Sequence, residues 1–481
     1  MADILIEHGT VVTLDPQRRI IEDGAVAIRD DRIVAVGAHG TLAEAGPFET
    51  TIDARNMVVL PGLVDCHAHA GHGLVKTLGA DDGDAWYRAC EAFYTRASSD
   101  KFWAAESALA ALERLKFGVT CGVSLFGGGD SILRTDDPVY ADRHCESVRD
   151  VGIRTFLAVG PCRPPFPRRF VRWNGDVSEP LQVSFAQQLA TCDTIVERWH
   201  GADAGRINIC VVSPTLRSEH LDDPDLSAAA RGELLTQARE ARALSHRHGI
   251  LFTQDGHTSG SVAFAHEPLD ILGPDALLSH STDLSDEEIR IIADTGTHVV
   301  HNPSAVASIR GRCPVPELLD AGASVVLGSD ATAPDRSGDM FRHMQQCMHY
   351  HRRHFRDPDV LPPGKVLEMV TIDAARALGL DNEIGSIEAG KKADVILVDL
   401  FKPHTYPFQM PLYRTIYFAN GNDVDTVIVD GRILMRHREV LSVDERTVLE
   451  AAQKEADLAL ERSGLTGLTS PRPRLWGHSH Y

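Results

Sequence analysis

The chain has 481 residues, 43% of them hydrophobic, and a formal charge of −20. That length and apolar content support a large buried core, and the acidic balance excludes nucleic acid and anionic membrane as partners, because both require a basic face. The opening Met1-Ala-Asp-Ile-Leu-Ile-Glu7 has no basic start before an apolar core, no apolar run approaches membrane-spanning length, and the nine cysteines are odd in number and scattered, which predicts a cytoplasmic protein without a membrane segment.

In chain order, residues 3–60 contain ILIEHGTVVTLD, DGAVAIRDDRIVAVG and TIDARNMVVL, short alternating runs broken by Gly and Asp that predict antiparallel strands. Next, Pro61-Gly-Leu-Val-Asp-Cys-His67-Ala-His69 is a strand-like run ending in two histidines one residue apart. Side chains at i and i+2 share one face of a strand, so both imidazoles converge on one point, as a divalent metal requires. The stretch from Ser98 to Leu115 has a capped start and helical apolar spacing. Pro161 to Trp173 is rich in Pro and Arg and predicts an irregular loop, either over the barrel mouth or as a surface excursion.

Further apolar runs end at His280, at His301-Asn302-Pro303 and at Gly328-Ser-Asp330, each followed by a helical stretch. This repeat of strand, polar tip and helix predicts an α/β fold, a (β/α)8 TIM barrel whose C-terminal strand ends build the active site. ADVILVDLF and DTVIVDGRILM then repeat the N-terminal pattern. The expected organisation is a first part of a β-sandwich over 1–60, the barrel over 61–380, a second sandwich part over 381–440, and a C-terminal helix and tail over 441–481.

The chain resembles the amidohydrolase superfamily, in its branch of cytosine- and guanine-deaminase-like and triazine-hydrolase-like enzymes. The resemblance rests on the run Pro61 to His69, on Gly328-Ser-Asp330 with Asp339-Met340 after it, on TIDAARAL (371–378), on GSIEAGKKAD (385–394) and on Val427-Ile-Val-Asp-Gly431. It implies the small sandwich assembled from both termini. It also implies His67 and His69 as metal ligands, Asp330 as a further ligand that accepts the proton of the attacking water, and His280 as the imidazole that polarises water or substrate. His301 and Asn302 are candidates for substrate contact, with a turn role before Pro303 equally open; His72 is a further pocket candidate. The fourth-strand run Arg206 to Pro214 lacks the lysine or carboxylate that bridges two metals in relatives, so about one divalent ion per chain is expected, zinc first, with iron, cobalt or manganese as alternatives. A homo-oligomer, dimer or tetramer, is expected.

The fifth strand departs from that pattern. Relatives carry there a ligand His followed, three residues on, by a Glu that shuttles protons; this chain has Gly249-Ile-Leu-Phe-Thr-Gln254-Asp255-Gly256-His257. One alignment puts Gln254 at the ligand position, touching metal and substrate, and His257 at the shuttle position, where an imidazole can exchange protons near neutrality. The bland alternative leaves Gln254 hydrogen-bonded within the barrel and His257 in a loop. A slip of one residue makes Asp255 the ligand or shuttle. The fourth strand reads Ser213-Pro-Thr-Leu216 where deaminases have Pro-His-Ala. The altered strands resemble those of phenylurea and molinate (thiocarbamate) hydrolases. This implies hydrolysis of a urea, carbamate, thiocarbamate or amide C–N bond in a small molecule, with deamination or dechlorination of an amino-heteroaromatic ring as the alternative. An inactive barrel used as a binding scaffold is a third reading.

Overall fold

The computed structural model describes residues 3–42, 47–128, 132–222, 224, 227–331 and 336–479. Eight parallel strands form one sheet in chain order: Leu63–Asp65, Val119–Leu125, Arg154–Val159, Ile207–Ser213, Phe252–Gln254, Ala276–Ser279, His298–His301 and Ser324–Leu327. Two backbone bonds join the eighth strand to the first: Cys66 N–H donates to Leu327 O (3.1 Å) and Asp330 N–H to His67 O (2.8 Å). Parallel neighbours require crossover helices, and the ring so built is the predicted barrel.

Period-two alternation sorts the strand residues into two layers. One cluster takes Val64, Val123, Phe156, Cys210, Leu277, Val300 and Val326 from strands all round the ring, with Leu251 packed against it. This is the inside of the barrel. The other takes Phe252, Leu278, Val299 and Leu327, together with Phe341 and Met344 of the enclosing helix Met340–Phe355. The first crossover helix, Asp100–Lys116, begins where Ser99 Oγ accepts the Phe102 N–H (3.3 Å), satisfying a donor the helix start leaves open.

Both chain ends enter a single nine-stranded sheet. Ile4–Val12 lies between Ile20–Arg29 and Met57–Pro61, and the late strand Val395–Asp399 pairs antiparallel with Met57–Pro61. Its core mixes Ile4, Val26, Ile28 and Val59 with Val395, Leu397 and Ile428, so neither end buries its apolar face alone. Buried ion pairs fasten this sheet to the barrel: Arg154 Nε meets Asp394 Oδ2 at 2.7 Å and Arg206 Nη1 meets Asp430 Oδ2 at 3.0 Å. The helix Glu445–Ser463, capped by Asp444, packs on Asp100–Lys116, with Ser99 Oγ donating to Glu455 Oε2 (3.2 Å).

The Pro/Arg-rich stretch is not all irregular. Arg168–Asn174 pairs with Val177–Val183 as a hairpin whose two-residue turn is Gly175-Asp176, the φ of +58° at Gly175 being one a glycine at the first turn position adopts freely. Among the described residues no helix is long and apolar enough to cross a membrane. All nine cysteines are buried free thiols.

Candidate active site

The strand that ends at Asp65 delivers His67 and His69 to the barrel mouth, and the two imidazoles stand edge-on with centroids 5.0 Å apart. Asp330 answers them from the eighth strand: its Oδ1 lies 3.3 Å from His67 Nε2 and 3.0 Å from His69 Nε2. His69 Nδ1–H donates to Gly127 O (2.9 Å), which leaves Nε2 as the ring nitrogen turned toward the carboxylates. His67 is 1% exposed and has no hydrogen-bond partner on either ring nitrogen.

The fifth strand supplies Asp255. Its Oδ1 lies 3.4 Å from His67 Nε2 and 3.1 Å from His280 Nε2, and its Oδ2 lies 3.6 Å from His69 Nε2. Gln254, expected as a ligand and substrate contact, is turned elsewhere: its Nε2 donates to Ser213 Oγ (3.2 Å) and Pro214 O (3.0 Å). Strand alternation is the reason. Gln254 shares the face of Phe252, which packs toward the helices, and Asp255 shares the face of Leu251, which packs into the barrel. His257, expected as the proton carrier, is also held away, with Nε2 3.3 Å from Gln254 Oε1 and Nδ1 2.9 Å from Ser261 Oγ. Burial drives its pKa down to about 3, so it is a neutral ring near neutrality rather than a titrating one.

His280 sits at φ +67° and Asp330 at φ +53°, left-handed conformations that non-glycine residues adopt at a cost and that cluster at functional sites. Asn302 Nδ2 lies 3.4 Å from His280 Nδ1 and so reaches the site. His301 does not. By the same alternation it faces outward, its ring edge-on to His351 on the helix Met340–Phe355. His72 stacks on His69 with centroids 4.4 Å apart and hydrogen-bonds to Tyr94 (2.8 Å), lining the site from behind the ligand pair.

Three further contributors are given no role from the sequence, although Asp65 and Gly328 stand inside the motifs quoted above. Arg336 Nε lies 3.2 Å from Asp330 Oδ2. Burial by itself would raise the Asp330 carboxyl, but Arg336 and the facing histidines outweigh it and hold the group well below the usual carboxylate range. Asp65 ties the first and eighth strands together, accepting from Ser329 N–H (2.8 Å), Ser329 Oγ (2.7 Å) and Arg114 Nη2 (2.9 Å). Gly328 permits their close approach, since a Cβ there would lie 2.3 Å from Asn302 Oδ1 and 2.8 Å from His67 Cβ.

These donors fit a metal ion. Around a tetrahedral ion with bonds of about 2.0–2.1 Å, neighbouring ligand atoms stand roughly 3.3 Å apart. The four His–Asp separations run from 3.0 to 3.6 Å, and His67, His69 and Asp330 offer ligand atoms all within 4.8 Å of one another, while Asp255 forms a second such group with His67 and His280.

Comparison with known proteins places this geometry. The amidohydrolase family profile matches residues 244–434. The chain is 32% identical over 473 residues to the 5'-deoxyadenosine deaminase of Methanosarcina mazei, covering 96% of this chain and 99% of that one. It is 32% identical over 467 residues to the 5-methylthioadenosine/S-adenosylhomocysteine deaminase of Moorella thermoacetica, covering 94% and 99%. Among solved structures, an adenosine deaminase from Xanthomonas campestris with bound zinc superimposes with a TM-score of 0.79 at 24% identity, covering 95% of this chain and 99% of that one. The zinc complex of atrazine chlorohydrolase from Arthrobacter aurescens does so with a TM-score of 0.75 at 21% identity, covering 94% and 100%.

Proposed function

The chain belongs to the amidohydrolase family, and on that premise we propose that it is a mononuclear metal-dependent hydrolase of urea-, carbamate- or amide-type C–N bonds in a small, rather apolar molecule. It is an enzyme acting on carbon–nitrogen bonds other than peptide bonds, and its donor set together with the zinc bound in two similar solved structures supports a divalent metal as cofactor. The finer reading makes that metal a single zinc-type ion at this site, held by His67, His69, Asp330 and Asp255.

When bound, the cation supplies the charge that makes water acidic enough to attack near neutral pH. Asp330, kept ionised by Arg336, takes the proton from the attacking water. At His280, Asn302 Nδ2 donates to Nδ1 and the single N–H therefore sits on Nε2, facing Asp255 Oδ1; when substrate binds, that N–H turns from Asp255 to the carbonyl oxygen on which charge develops. The proton that Asp330 takes from the water is the one the departing nitrogen must receive, and Asp255, an ionised carboxylate bridging His280 and the ligand pair, relays it, the role the sequence assigned to His257.

The observation that carries the substrate class is the fifth strand: it presents Asp255 at the ligand cluster, and the segment 249–257 contains no glutamate to protonate a ring nitrogen. A second reading, deamination of an amino-heteroaromatic ring, is favoured by the full-length likeness to two nucleoside-type deaminases. One assay separates them. Purified protein is offered N-aryl ureas, carbamates and amino-heterocycles, and amine and ammonia release are followed separately. Amine release from the first two groups is expected; ammonia from an amino-heterocycle as the sole product refutes the preferred class. A cytoplasmic location and a homo-oligomeric state complete the proposal.

A further inference from the structure

A second set of donors is enclosed behind the seventh strand. Cys347 and His351 stand one helical turn apart on Met340–Phe355 and so project from one face of that helix. The outward-turned His301 meets them, its ring centroid 5.5 Å from that of His351. His301, Cys347 and His351 each offer a ligand atom within 4.8 Å of the others, and all three are at most 1% exposed.

Hydrogen bonding leaves this cluster unsatisfied. Neither ring nitrogen of His301 has a partner, a condition native interiors rarely tolerate. His351 Nδ1 lies 2.8 Å from Cys347 O, and its Nε2 lies 2.9 Å from Cys313 O. Both partners are carbonyl oxygens, yet a neutral imidazole carries one N–H; the other nitrogen sets its lone pair against an acceptor.

We propose that His301, Cys347 and His351 form a second, structural cation site that takes a thiophilic divalent ion of the zinc type. Two imidazoles and one thiolate suit such an ion and not magnesium or calcium, which prefer oxygen. An ion here satisfies the His301 lone pair, and a turn of the His351 ring brings to the same ion the lone pair that otherwise faces a carbonyl. A trapped water could serve His301 but gains nothing from sulfur. Burial raises the Cys347 thiol pKa, so uptake exchanges its proton for the metal–sulfur bond and releases that proton to solvent. The site joins the seventh strand, which carries Asn302 to the active site, to the helix behind it.

The test uses full-length protein stripped by chelator and reloaded with cobalt(II). The active-site donors contain no sulfur, so a thiolate-to-cobalt charge-transfer band in the near ultraviolet reports the second site alone. The parent should bind about two cobalt per chain and show the band. Cys347→Ser should lose the band and about one equivalent of metal, and the His67→Ala/His69→Ala variant should lose the other equivalent and keep the band. His301→Gln provides the same comparison should Cys347→Ser fail to fold. Parent protein without the band, or a band that survives Cys347→Ser, overturns the site, and neither outcome bears on the active-site ion.

Discussion

Asp255 Oδ1 and His280 Nε2 lie 3.1 Å apart, joining the tips of the fifth and sixth barrel strands across the ligand cluster. Asp255→Asn keeps the shape and removes the charge and the proton site. It should lower kcat by roughly two to four orders of magnitude, the usual range for lost acid–base help, and weaken metal binding. Gln254→Ala should do far less to turnover. Parallel measurement of kcat and metal content in both variants checks this; equal losses would return the ligand role to Gln254.

His280→Ala removes the group that faces developing charge without removing a ligand. Turnover should fall by roughly two to four orders of magnitude while metal content stays near that of the parent. Asp330→Ala should instead lose metal and activity together. Elemental analysis alongside steady-state kinetics distinguishes the two patterns.

Gly328→Ala tests how tightly the first and eighth strands must approach. The added methyl would press on Asn302 Oδ1 and His67 Cβ. Overpacking of this kind costs about 1–3 kcal/mol. Tm should fall and active-site metal should leave more readily in a chelator titration; an unchanged Tm and metal affinity would show that the strands have slack.

Glu106 gives the fold a pH dependence of its own. It is buried on Asp100–Lys116, its Oε1 accepts the Gly73 N–H (3.2 Å), and burial pushes its carboxyl from 4.5 up to about 7. A pKa raised in the folded state adds stability that is complete below about 4.5 and is lost as pH rises through about 7, by about 3 kcal/mol. Glu106→Gln keeps the acceptor and should flatten that slope, making the variant the more stable protein above neutrality. Urea midpoints measured across this range decide it.

The barrel and four of its site residues are legible in the sequence because their signals are short-range. Apolar runs ending in a polar tip mark the strands, and the spacing of His67 and His69 survives any error in strand boundaries. The fifth strand is different. Gln254 and Asp255 differ by one residue, and one residue decides which layer a strand side chain enters; Phe252 and Leu251 settle it only once their neighbours are known. Arg336 follows the eighth strand in a segment without periodicity, so nothing in its spacing marks it. His301 and Asn302 are both candidates for substrate contact by sequence, with a turn role equally open, but adjacent strand residues point oppositely and Asn302 alone of the two reaches the site. Just beyond the proline-rich stretch, Gly175-Asp176 is the hairpin signal that makes Arg168–Asn174 a strand.

The pairing of Val395–Asp399 with Met57–Pro61 orders events during synthesis. The strand bearing His67 and His69 continues directly from Met57–Pro61, whose neighbour is made more than three hundred residues later. A ribosome working from the N-terminus therefore holds the catalytic segment waiting until the distal partner emerges. A messenger cut short before that strand yields no miniature enzyme, only a chain with an open sheet edge for chaperones or proteases to find.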